Sequence, residues 1–247
     1  MTAMRIETTD MAGVVVATPC GRLDLSGYPS LRDGLLKLAA ASPAALVVRL
    51  GTGFEVPSTA MLAVFSTVRM QISRWPDIPL IVAAETDVHR RQLARSGVAR
   101  FVSTVPDVAS ALDVAAEPPP RRLHRVPLPN SPTAPMIARE FVRDVCEQWQ
   151  LPALRNDALL VVSELVENAV RHARSEPDLQ VELRPCTLSI AVRDDDPTPA
   201  VQTEALPDVG GHRGLELVDR LSLRWGNTPS SDGGKIVWAV LARWPGE

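Results

Sequence analysis

At 247 residues the chain is long enough for two domains that each bury a core, and its 45% apolar content excludes wholesale disorder. Its 26 basic and 29 acidic residues leave a net charge of −3 with no basic stripe, which argues against general affinity for nucleic acid. Aliphatic runs such as Leu80–Ala84 fall far short of the roughly 18 apolar residues of a membrane span, and an N-terminus carrying Glu7 and Asp10 lacks an export signal, so a cytoplasmic protein without a membrane partner is expected.

The first half alternates strand and helix signals. Val14–Ala17 and the short Arg22–Leu25 read as strands, followed by a helix from about Pro29 with Leu31, Leu35 and Leu38 on one face. Ala45–Leu50 reads as a buried strand. A second helix starts near Ser58, whose hydroxyl is expected to cap it, and carries Leu62, Phe65, Val68 and Ile72 at burial spacing. Pro79–Ala84 is the next strand, Val88–Arg95 a short helix, Phe101–Val102 a short strand and Asp107–Ala115 a last helix. Strands alternating with helices imply an α/β layer with a mixed sheet.

A proline-rich polar break, Ala116–Arg122, reads as a semi-rigid extended linker. It sets the expected organisation: residues 1–115, a linker at 116–122, and residues 123–247. Cys20, Cys146 and Cys186 are scattered, without a C-x-x-C pair, and read as buried reduced thiols.

In the second half, Ser163–Ala173 puts a carboxylate and an amide one turn apart on an otherwise apolar helix. Glu164 and Asn168, at i and i+4, share a face beside a stripe of Leu160, Val161, Leu165, Val166 and Ala169. A general base and a metal-ligating oxygen are the chemical uses of such a pair. Leu188–Arg193 then alternates as a strand and runs into Asp194-Asp195-Asp196-Pro197, an acidic cluster at a strand end, where ligand sites of open sheets collect. Next, Gly210–Val218 is a glycine-bearing loop opening a helix, whose free N–H groups and dipole suit a phosphate. Gly233–Leu241 reads as a closing strand. Only Lys37 and Lys235 are lysines.

Four such boxes in this order resemble the ATP-binding domain shared by histidine kinases and gyrase-type ATPases, and within that superfamily the small anti-sigma-factor serine/threonine kinases. The likeness runs from about Leu123 to Trp244 and is carried by SELVENAVRHA, VRDDDPTP, HRGLELVDRLSLRWG and GGKIVWAVL. The element order of the first half resembles, more weakly, the STAS domain of anti-sigma-factor antagonists. The fold class implied is α/β (α+β): a STAS-like mixed sheet followed by a Bergerat-type ATP-binding α/β sandwich.

The resemblance implies ATP and Mg²⁺ as ligands. Asp194 would accept a hydrogen bond from the exocyclic amine of adenine, Asn168 would offer its amide oxygen to Mg²⁺, and Glu164 would take the proton of an attacking hydroxyl. Thr198–Gly210 would be a lid; Gly211, Arg213 and Gly214 would line the phosphates, with Gly214 permitting close backbone approach. His172 reads as a surface or satisfied core histidine. The implied partners are a sigma factor, a STAS-type antagonist, or both, and related kinases commonly form homodimers.

Two positions depart from the family's pattern. Asp196 stands where a glycine normally follows the adenine-binding aspartate, and His212 replaces the first glycine of the lid box. In the first half, Val56-Pro57-Ser58-Thr59-Ala60 keeps one serine of the antagonists' phosphoacceptor segment but not its acidic residue and glycine, so no phosphate is expected on Ser58. Two functions follow: a partner-switching serine/threonine kinase, or a non-catalytic scaffold whose affinity is gated by ATP.

Overall fold

The computed structural model describes residues 4–116, 121–200 and 214–243. The chain divides into two compact units, Met1–Pro118 and Pro119–Glu247.

The first unit opens with a hairpin of β1 (Arg5–Met11) and β2 (Val14–Arg22). Ala12 (φ 55°) and Gly13 (φ 83°) supply the two positive φ angles of a tight turn between antiparallel strands. The element β1 carries no apolar alternation because it is a mostly exposed edge, so periodicity does not reveal it. The expected strand at Arg22–Leu25 is not one: β2 ends at Arg22, and the Asp24 carboxylate accepts hydrogen bonds from the Ser26 and Gly27 amides, turning the chain into α1 (Gly27–Ala40).

There follow β3 (Ala45–Leu50), β4 (Phe54–Glu55), α2 (Ala63–Ile72), β5 (Leu80–Ala84), α3 (Asp87–Ser96), β6 (Ser103–Val105) and α4 (Val108–Ala115). The mixed sheet runs β1-β2-β3-β5-β6, with β4 beside β2 and every pairing after the hairpin parallel. Leu31 and Leu35 of α1, Phe65 and Val68 of α2 and Leu93 of α3 pack on Leu46, Val48 and Val82 on one side; Ala111 and Ala115 of α4 pack on Val47 and Ile81 on the other. A sheet covered on both faces explains why β5 and the Ala45–Val48 part of β3 read as unbroken apolar runs. The strand expected at Phe101–Val102 forms two residues later, because Phe101 and Val102 close a turn onto the Val98 carbonyl.

Ser58 sits at the cap position of a 3₁₀ turn, Thr59–Leu62, that precedes α2, but its hydroxyl makes no capping bond; only its carbonyl accepts, from the Met61 amide at 3.0 Å. The expected hydroxyl cap is therefore absent. By contrast, Thr86 caps α3 by accepting the His89 amide at 3.1 Å.

The second unit is a two-layer sandwich. Its elements are β7 (Arg122–Pro127), α5 (Ala134–Gln148), α6 (Arg155–His172), β8 (Asp178–Arg184), β9 (Thr187–Asp194), α7 (Gly214–Leu221), β10 (Arg224–Pro229) and β11 (Lys235–Ala242). The sheet is antiparallel throughout, in the order β10-β11-β9-β8-β7. Alternate residues Leu179, Val181 and Leu183 of β8, Leu188, Ile190 and Val192 of β9, and Val237, Ala239 and Leu241 of β11 meet Ala138, Val142 and Val145 of α5 and Val161, Leu165 and Ala169 of α6. Leu165 is fully buried, so truncating it to alanine costs about 2–5 kcal/mol.

Leu160 is not part of this stripe. It lies 47% exposed, because the buried face of α6 runs through Ala158, Val161, Val162, Leu165, Val166 and Ala169. Of the cysteines, Cys146 is buried, its thiol pushed up to about 11 by burial; Cys20 is half-buried and Cys186 exposed, which corrects the expectation of three buried thiols.

Candidate functional site

Helix α6 presents its polar pair at the margin of its buried stripe. Glu164 and Asn168 are both half-buried, one turn apart, whereas Glu167, Arg171 and His172 face solvent. Burial raises the Glu164 carboxyl above its usual range; the neighbouring Glu167 charge adds to the rise and Arg171 opposes it. A carboxylate whose proton affinity is raised in this way is better suited to accept a proton than an ordinary surface glutamate. Its carboxylate lies against Gly214 at the start of α7, where a Cβ on Gly214 would collide with Glu164 Oε2. Gly214 thus lets the Glu164 carboxylate lie against the α7 start without being displaced.

In Asn168 the amide Nδ2 is buried with no hydrogen-bond partner among the described residues. Half a turn about the last side-chain bond exchanges nitrogen for oxygen, and nothing bound to Nδ2 opposes it. The side chain thereby suits a hard cation, which takes oxygen ligands. No cluster of three or more His, Cys, Asp or Glu side chains with metal-holding geometry occurs among the described residues, so an ion here would draw its further ligands from phosphate and water.

The acidic turn after β9 is built more tightly than its sequence reveals. Asp194 is 4% exposed and Lys235, its cross-strand neighbour on β11, is 3% exposed. The Lys235 ammonium donates to Asp194 Oδ1 at 2.9 Å, to the Asp196 carbonyl at 3.1 Å and to Asp196 Oδ2 at 3.1 Å. Asp194 Oδ1 also accepts the Asp196 amide at 2.9 Å. One oxygen of Asp194 is therefore engaged twice, while Oδ2 is buried with no partner among the described residues. Leaving a buried acceptor unmet costs on the order of 1–3 kcal/mol. A ligand that brings a donor to Oδ2 recovers it.

Burial pushes the Asp194 carboxyl up, and Lys235 pulls it back down. Asp196 is held down to about 2, chiefly by the Thr198 amide, with Lys235 contributing. At Asp196 the backbone does not enter the left-handed region, so the turn has no need of the glycine that the family pattern puts there. The close approach that does demand glycine is at Gly234, where a Cβ would strike the Asp194 carbonyl and come within 2.7 Å of the Asp195 Cα.

Asp195 ties this turn to α6. Its Oδ1 accepts the Arg174 amide, two residues past the helix end, at 2.9 Å. From Glu164 to His172 the helix rises about 12 Å. The site therefore runs from the α7 start beside Glu164, along α6 past Asn168, toward the Asp194 turn. Gly211 and Arg213, together with Gly210 and His212 and residues 201–210 of the expected lid, lie outside the described residues. Lys235 is the residue that sequence reasoning passed over; its signal was available, a lysine directly after two glycines in a chain with only two lysines.

Residues 128–241, all within the second unit, match the family model of the histidine kinase-like ATPase domain. ATP is the ligand that this match implies. Among solved structures, an anti-sigma factor antagonist from Mycobacterium paratuberculosis is similar at 21% identity and a TM-score of 0.39, covering 47% of this chain and 96% of that one. No curated protein matches the chain. No helix among the described residues is long and apolar enough to cross a membrane.

Proposed function

We propose that the second unit binds Mg·ATP and transfers its γ-phosphoryl group to a serine or threonine of a protein partner, as an anti-sigma-factor-type kinase in partner-switching control of transcription. The observation that carries the reading is Asp194, a buried carboxylate with one oxygen engaged by Lys235 and the other awaiting a donor. An adenine presents an exocyclic amine where guanine presents a carbonyl, so the unmet acceptor selects ATP over GTP. Asn168 would hold Mg²⁺, which supplies charge neutralisation at the phosphates.

Glu164, its proton affinity raised by burial, takes the proton of the attacking hydroxyl as the oxygen–phosphorus bond forms and the β–γ bridge breaks, leaving ADP and a phosphorylated partner. Gly214 lets the α7 start approach that carboxylate; Gly211 and Arg213 would complete the phosphate contacts. The first unit, in this proposal, is a STAS-like docking or regulatory module that takes no phosphate itself. The partners are a sigma factor or a STAS-type antagonist. A cytoplasmic location, a homodimer and a boundary within residues 116–122 belong to the same reading; the strand β7 already begins at Arg122, the last residue of that linker.

Calorimetric titration with ATP and GTP in the presence and absence of Mg²⁺ tests the binding step, and incubation with γ-labelled ATP and candidate antagonists tests transfer. Equal affinity for the two nucleotides sinks the Asp194 placement. Tight ATP binding without any phosphate transfer replaces the kinase by an ATP-gated scaffold.

A further inference from the structure

The ion pair at the end of β9 is an unusual thing to bury. A charged lysine at 3% exposure persists only when all its donors are met, and here the three contacts of Lys235 match the three hydrogens of its ammonium. Two of the three go to Asp196, the residue standing where the family's pattern has glycine. The third goes to the single oxygen of Asp194 that also accepts the Asp196 amide.

We propose that Lys235 is a positioning residue for base recognition: it clamps Oδ1 of Asp194 together with the carbonyl and Oδ2 of Asp196, so that Asp194 Oδ2 alone is presented to the exocyclic amine of the base. Without the ammonium the Asp194 carboxylate is held only by the Asp196 amide on Oδ1, and the Asp196 turn loses two of its anchors. Gly234, which lets β11 close onto the Asp194 carbonyl, brings the lysine within reach. The clamp also maintains Asp194 as an acceptor. The charged groups acting on that carboxyl are Lys235 from β11 and Asp196 from the turn; from the end of α6 comes the Arg174 amide, which goes to Asp195 instead. Removing the one cation leaves burial and the Asp196 charge, which favour the protonated acid, opposed only by the Asp196 amide.

The inference rests on the adenine-nucleotide reading, and the test separates the two. Full-length wild type, Lys235→Met, and the double variant Lys235→Met with Asp194→Asn are compared by ATP and GTP titration between pH 5.5 and 8, and by thermal melting without nucleotide over the same range. Lys235→Met is expected to lose roughly ten- to a hundredfold in ATP affinity, with GTP binding changed far less. Its remaining ATP affinity should rise with pH more steeply than that of wild type.

Without nucleotide, Lys235→Met should melt higher at pH 5.5 than at pH 8. A carboxyl whose folded-state pKa is raised stabilises the fold most at low pH and loses that contribution as pH rises through the raised value. The double variant, with no buried charge, should recover melting temperature and lose this dependence, which keeps the clamp testable even where the single variant folds poorly. Wild-type selectivity and the wild-type pH profile retained in Lys235→Met overturn the role of Lys235. Equal ATP and GTP binding by wild type removes the adenine reading and the specificity role with it, whatever the melting curves show.

Discussion

The two units differ in their acidic residues: both hold carboxyls that local hydrogen bonds keep low, as at Asp196, but only the second has carboxyls that burial raises. In the first unit Asp24, Asp87 and Asp107 sit at turns and helix starts, where backbone amides, a serine hydroxyl or an arginine partner hold each carboxyl below its usual range. Its buried histidine is satisfied on both ring nitrogens, by Thr86 and by the Phe54 carbonyl. In the second unit burial raises Glu164 and Asp194, and unpartnered polar atoms occur on Asn168 and Asp194. Groups in the first set stabilise their own local structure, whereas those in the second hold energy that only a ligand releases. Perturbation upward by burial, joined to an unmet hydrogen bond, is what separates a candidate chemical site from a well-capped scaffold.

The sharpest break of this comparison is Glu164→Ala. It should lower phosphate transfer by roughly 10²–10⁴-fold while nucleotide affinity holds, measured by labelled-phosphate transfer beside calorimetry. Because burial raises the Glu164 carboxyl above its usual range, the transfer rate should fall as pH drops through its raised pKa, a limb that vanishes in the variant. Unchanged transfer in Glu164→Ala would move the unit into the scaffold class.

Asp194→Asn ranks next. It turns one acceptor into a donor beside the adenine amine and should cost on the order of 1–3 kcal/mol of ATP affinity, with GTP unaffected. Asn168→Ala should weaken Mg·ATP while leaving metal-free nucleotide binding nearly alone. A variant that loses both equally places Asn168 in the packing and not at the ion.

A smaller effect is expected at Gly214→Ala. The added methyl meets the far end of a flexible side chain, so Glu164 swings aside and transfer slows, while the melting temperature shifts little. A large loss of stability with normal transfer would contradict this account of the α7 start.

The smallest effects lie in the first unit and calibrate the rest. Thr86→Ala removes a capping bond in use and should cost about 1 kcal/mol in denaturant unfolding, whereas Ser58→Ala removes none and should be nearly silent. Mass spectrometry after incubation with Mg·ATP should find no phosphate on Ser58 or Thr59. Stoichiometric phosphate there would turn the first unit from a module into a substrate.

Much of this was legible from residue order alone. The period-2 run Leu188–Val192 reports the face that meets the helices, although Ser189 and Ala191 are buried as well, and the i, i+3, i+4 stripe of α6 reports its buried side; those patterns are written in the local sequence. The mixed sheet of the first half and the polar pair Glu164–Asn168 belong to the same class of information. Strand β1 escaped it because an exposed edge imposes no alternation, and Leu160 was misassigned because a single helix leaves the width of its buried stripe open. The Ser58 hydroxyl fits a capping pattern that the backbone around it does not use.

What only the tertiary structure decided is the acid–base geometry at the sheet end. Sequence places Asp194 and Lys235 forty-one residues apart, and pairing β9 with β11 sets them opposite one another in a site too dry for either charge to stand alone. Which oxygen of Asp194 is engaged, which is open, and why Asp196 can stand in for glycine all follow from that pairing. A side chain's burial depends on every layer packed over it, and that sum is not a local property of the chain.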